Sequence, residues 1–115
     1  MKRKISLYVR DMLDNMDKAE SFTQGLDFPR FTNDEKTQYA VVRSIEIIGE
    51  AAKHVPDEVR LRYSHIPWRD MSGMRDKVIH LYFGVNAQKV WLVITEDIPR
   101  LKPLLQDVLH DLERQ

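Results

Sequence analysis

Apolar side chains in this chain recur at the period of an α-helix, and little interrupts them. Over about residues 2 to 24, Ile5, Tyr8, Val9, Met12, Leu13, Met16, Ala19 and Phe22 fall at i, i+3, i+4 and i+7 spacing, with Lys4, Arg10, Asp14, Asp17 and Lys18 on the other side. A stripe of this kind is buried by laying one helix against another. Only four glycines and five prolines punctuate the 115 residues. Turns are therefore few, and a handful of long helices is expected.

The remaining segments extend the pattern. Gly25 is a natural stop, and Phe28-Pro29-Arg30-Phe31 reads as a short loop. Thr32, with Glu35 three residues on, has the spacing of a capping box that opens a second helix. Tyr39, Val42, Ile45, Ile48 and Ala52 give that helix its inward stripe, and Pro56 ends it near His54. Pro56-Asp57-Glu58 looks like the first turn of a short helix running to about Tyr63. A fourth helix is expected from about Trp68 to near Phe83, where Gly84 can take a left-handed cap. Asn86 caps a fifth, which continues past Pro99 and Pro103 as one kinked helix or as two helices meeting near Pro99. There is no sustained β-type alternation and no internal repeat. The expected architecture is all-α: one domain over residues 1–115, an antiparallel bundle of four long helices plus a short one.

Composition narrows the function. With no cysteine there is no disulfide framework, thiol nucleophile or Cys-based zinc site. Eighteen Lys and Arg balance eighteen Asp and Glu, which excludes a bulk basic coat for nucleic acid but allows a local basic site. No apolar run approaches the roughly 20 residues that span a bilayer. Arg10, Asp11 and Asp14 prevent a signal-peptide core after Lys2-Arg3-Lys4, so a cytoplasmic protein is expected.

Phosphate loops, nucleophile elbows and H-E-x-x-H motifs are absent, and no two of the four histidines sit at i, i+4. Glu46 and Glu50 are spaced as a helical carboxylate pair, read as a solvated or interfacial ridge rather than a metal site. The informative stretch is Arg75-Asp76-Lys77-Val78-Ile79-His80-Leu81-Tyr82. Arginine offers a forked cation matched to phosphate, and histidine exchanges a proton near neutrality. Those two groups are the minimum for metal-free RNA cleavage, in which the 2′-hydroxyl is the nucleophile. On a regular helix Tyr82 falls about 20° from Arg75, whereas His80 lies about 140° around, beside its i−4 neighbour Asp76. Convergence then needs the long arginine arm, a distorted last turn before Gly84, or a second copy related by two-fold symmetry. By residue type alone, such a trio reads more readily as surface and capping groups.

Arg75-x4-His80-x-Tyr82 resembles the signature of the HEPN superfamily, in the form carried by HepT-like toxins. The flanks Glu46-Ile47-Ile48-Gly49-Glu50-Ala51-Ala52, His65-Ile66-Pro67-Trp68, Met71-Ser72-Gly73-Met74 and Val90-Trp91 are similar as well. The resemblance implies an all-α homodimer acting as a metal-independent ribonuclease toxin without a cofactor. It implies Arg75 and His80 as the catalytic pair, Asp76 in support, and Tyr82 as a supporting residue that the partner modifies with AMP. That partner is an MntA-like nucleotidyltransferase antitoxin. The substrate is RNA, with tRNA among the candidates. A competing expectation is a non-catalytic helical subunit that binds, or is modified by, the nucleotidyltransferase. Glu46, Glu50 and Trp68 belong to the family's look without an assigned chemistry. Trp68 and Trp91 read as core or interface residues rather than base-stacking ones, and Lys2, Arg3, Lys4 and Arg10 as a solvated N-terminal face rather than a phosphate-facing strip.

Overall fold

The computed structural model describes residues 3–80 and 84–115, with the backbone alone at His80. Helix dominates the described residues, as expected of an all-α fold. Three long amphipathic helices form the centre: α1 (Ile5–Phe22), α3 (Glu35–Lys53) and α8 (Ile98–Glu113). Val9, Met12, Met16 and Ala19 of α1 are fully buried, as are Val41, Ile45, Ile48 and Ala52 of α3, and Ile98 and Leu105 of α8. Tyr8, early in α1, stacks on His54, just past the end of α3, with ring centroids 4.9 Å apart. The two helices are therefore antiparallel. Lys102, early in α8, meets Asp17 and Glu20 of α1 at 2.7 and 2.6 Å, and Arg10 pairs with Glu113 at the opposite end. Thus α8 also runs antiparallel to α1.

The loop expected at Phe28-Pro29-Arg30-Phe31 is instead a short helix, α2 (Phe28–Thr32). Asp27 accepts the Arg30 N–H at 3.0 Å, and Pro29 sits in the first turn, where its missing N–H costs nothing. Gly25 turns the chain into it with φ +81°. The cap of α3 is Asp34 rather than Thr32, whose hydroxyl is already donated to the Phe28 carbonyl inside α2. Asp34 accepts both the hydroxyl and the N–H of Thr37, which hold its carboxyl below the usual aspartate range. Two residues expected on inward stripes face solvent: Phe22 is 43% exposed and Tyr39 60%. Each stands around its helix from the buried stripe, Tyr39 about 180° from Ile48 and Phe22 about 140° from Val9.

Beyond α3, Pro56 lies just outside α4 (Asp57–Arg62). Arg60 returns to cap α3, donating from Nε to the Val55 carbonyl at 3.0 Å and from Nη2 to the Ala52 carbonyl at 2.8 Å. The single fourth helix expected from Trp68 to Phe83 is not formed. It is divided at Gly73 into α5 (Trp68–Ser72) and α6 (Met74–Val78), after which Ile79 turns extended. Two-residue strands β1 (Ile79–His80) and β2 (Gly84–Val85) pair antiparallel, Ile79 opposite Val85 and His80 opposite Gly84. Gly84 has φ +74°, so its left-handed conformation serves this reversal rather than a helix cap. The β-branched pair Val78-Ile79 suits the exit from helix, and Asn86 N–H closes on the Val78 carbonyl at 2.7 Å.

Asn86 caps α7 (Ala87–Leu92) by accepting the Lys89 N–H. A π-helical turn, Val93–Asp97, joins α7 to α8 without a break, so the proline-kinked single helix is the arrangement formed. Pro99 supplies the cause: it has no N–H for the Thr95 carbonyl and its ring crowds that carbonyl. The turn widens so that Ile98 N–H reaches Val93 O, five residues back. Trp91 packs beside Phe31 and Phe28, ring centroids 5.1 and 6.0 Å away. No described helix is long and apolar enough to cross a membrane.

Candidate functional site

The face of α3 that carries Glu46 and Gly49 organises the stretch singled out in the sequence. A Cβ at position 49 would lie 3.3 Å from the carbonyl oxygens of both Met71 and Ser72, so glycine lets the end of α5 rest on α3. Trp68 anchors the start of α5: it is 4% exposed, and its Nε1–H donates to the Tyr63 carbonyl at 3.1 Å. Trp68 is thus a core residue whose one polar group is satisfied. Met74 and Val78 then bury the inner side of α6, leaving Arg75, Asp76 and Lys77 in solvent.

Arg75 is directed by a residue 29 positions earlier. Its Nε–H donates to Glu46 Oε2 at 3.0 Å, and Asp76 Oδ1 stands 3.7 Å from Nη1. A carboxylate on Nε fixes the plane of the guanidinium, and its outer edge, with Asp76 beside Nη1, makes no hydrogen bond to the other described residues. That edge is the fork that engages two phosphate oxygens at once. The Arg75 side chain is half exposed, so an anion can approach it.

The end of the helix at Val78 changes the geometry expected for the other groups. His80 is not the i−4 helical neighbour of Asp76; its backbone lies in β1, opposite Gly84. The helix thus ends at Val78, earlier than expected. Tyr82 lies outside the described residues.

Glu46 is what sequence reasoning missed. Its spacing pairs it with Glu50, but the two do different things: Glu50 stands 3.9 Å from Lys53 and 3.8 Å from His54, on its own helix and at its end. No local spacing links Glu46 to Arg75; the only hint was that both lie in stretches of family-like sequence. Two of the N-terminal cations are committed elsewhere. Arg3 pairs with Asp11 at 2.5 Å and lies over the Tyr8 ring, and Arg10 pairs with Glu113.

Comparison with known proteins bears on the chemistry. The sequence model of the family described as Ribonuclease HepT-like matches residues 12–108. The chain is 46% identical over 102 residues to the "Probable ribonuclease HepT" of Thermococcus cleftensis, covering 89% of this chain and 93% of that protein. It is 41% identical over 114 residues to a "Putative RNase" of Methanocaldococcus jannaschii, covering 99% and 98%. A "Putative RNase" of Caldanaerobacter subterraneus subsp. tengcongensis is 40% identical over 103 residues, covering 90% and 92%. No solved structure matches the chain.

Proposed function

The chain belongs to the HepT-like ribonuclease family, and on that premise we propose that it is a metal-independent ribonuclease toxin of the cytoplasm, silenced by an MntA-like nucleotidyltransferase antitoxin. The observation that carries this reading is the outward fork of Arg75, oriented through Nε by Glu46. In the reaction, the 2′-oxygen of the RNA bonds to phosphorus and the bond from phosphorus to the 5′-oxygen breaks. One His80 imidazole takes the 2′-hydroxyl proton, and an imidazolium returns a proton to the leaving 5′-oxygen. Arg75 holds the phosphoryl oxygens as negative charge builds on them. Asp76 limits the sideways travel of the guanidinium. A homodimer supplies two arginines and two histidines, so that base and acid are present together. AMP attached to Tyr82 places an anion beside this cationic centre and repels the RNA backbone.

The test is cleavage of RNA by the purified protein, with and without chelator. Wild type is expected to cut in both conditions, leaving 2′,3′-cyclic phosphate and 5′-hydroxyl ends. Arg75→Ala and His80→Ala are each expected to lose cleavage with an unchanged helical circular dichroism spectrum. Products with 5′-phosphates would overturn the mechanism. A wild-type protein that cuts no RNA would leave the non-catalytic subunit in its place. Mass spectrometry after co-expression with the nucleotidyltransferase is expected to show added AMP on Tyr82.

A further inference from the structure

Tyr39 is a large aromatic that stands about 180° around α3 from the buried Ile48, and the structure leaves it 60% exposed. It stands on the same side of α3 as Glu46, the residue that aims Arg75. Seven residues separate the two, which is about 20° of azimuth and about 10 Å along the axis. Arg43, also exposed, falls between them along the axis, about 40° around the helix from Tyr39 toward α1. At roughly 3.4 Å of rise per stacked nucleotide, the distance is about three nucleotides of one strand. Beside Tyr39 is a cleft of about 250 Å³ lined by Thr32, Glu35, Gln38, Gly84 and Val85, so the strand that pairs with His80 forms its other wall. Both Gln38 Nε2 hydrogens are given to the carbonyls of Phe31 and Thr32, at 2.8 and 3.0 Å. What Gln38 offers the cleft is therefore its amide oxygen, and Glu35 adds a carboxylate.

We propose that Tyr39 and this cleft form a base-binding subsite for the RNA strand whose scissile phosphate lies on Arg75. The inference rests on the reading of Arg75 given above. The phenol ring supplies a stacking face, which accepts any base. The acceptor oxygens of Glu35 and Gln38 select a base with an exocyclic amino group, adenine, cytosine or guanine, before uracil. Arg43 meets the phosphate between the stacked base and the scissile linkage.

The test uses short 2′-O-methyl oligoadenylate, oligocytidylate and oligouridylate, which lack the nucleophile and report binding alone, read by fluorescence anisotropy. Wild type is expected to bind the first two more tightly than the third. Tyr39→Ala is expected to weaken oligoadenylate binding about tenfold, by a similar factor at low and high salt, while Tyr39→Phe binds as wild type. Arg43→Ala is expected to show a loss that shrinks as salt rises. Glu35→Gln is expected to narrow the preference over oligouridylate. Unchanged oligonucleotide binding by Tyr39→Ala, with cleavage still dependent on Arg75, overturns the subsite and leaves the ribonuclease reading standing. A Tyr39→Ala protein that binds normally but sediments as a smaller species assigns Tyr39 to contact between copies, and overturns it too. Failure of wild type both to bind and to cut overturns the ribonuclease reading with it.

Discussion

The two sides of α3 are built differently. On one side α1 and α8 bury long continuous stripes and are tied along their length by Lys102 with Asp17 and Glu20, and by Arg10 with Glu113. On the other, α5 and α6 are five residues each and β1 is two. Helices that short do not hold themselves together in water. Their form comes from single contacts: the close approach at Gly49, the indole of Trp68 on Tyr63, and the Asn86 N–H on Val78. The core resists unfolding, and the site side derives its geometry from the core.

That contrast can be broken first at the core. Ile45→Ala is expected to cost about 2–5 kcal/mol in denaturant unfolding, because the cavity it leaves is only partly refilled. Cleavage per folded molecule should hardly change. A large loss of activity at full stability would deny the separation. Glu46→Ala is the opposite case. Its unfolding free energy should stay within about 1 kcal/mol of wild type, as for a half-exposed ion pair. Cleavage should fall on the order of 100-fold as Arg75 loses its aim.

The smallest effect comes from the strap between the regions. Tyr63, ahead of α5, donates its hydroxyl to Asp111 of α8 and holds that carboxyl below the usual aspartate range. Asp34 is lowered in the same direction by Thr37. Groups lowered on folding stabilise the protein above their unfolded pKa, about 4, and that stabilisation is lost as pH falls through the folded values. Melting temperature is therefore expected to drop on acidification below about pH 4, and Tyr63→Phe should show a shallower drop. An identical acid profile for the variant would remove Asp111 from the account.

Legibility in the sequence follows the same division. The stripes of α1, α3 and α8 are long enough for periodicity to average over local exceptions. Phe22 and Tyr39 depart from it because each stands around its helix from the buried stripe. The short segments carry no periodic signal: only Asp27 and Pro29 mark α2, and Gly73 and Val78-Ile79 divide a helix that the spacing of Met71, Met74, Val78 and Leu81 predicts as one. Arg75 was readable from its motif. Glu46 was not, because an ion pair across 29 residues leaves no trace in local spacing.

The π-turn at Val93–Asp97 sets the phase between the two halves of the last rod. An α-helix of the same span would need one residue fewer, since each residue turns the helix by about 100°. Deleting a solvent-facing position there, such as Glu96, would force a choice. Either α8 keeps its seating and the backbone meets the Pro99 ring, or the helix rotates and carries Leu101, Leu105 and Val108 away from α1. Chain length through this turn is consequently fixed to the residue, although the side chains at Thr95 and Glu96 face water.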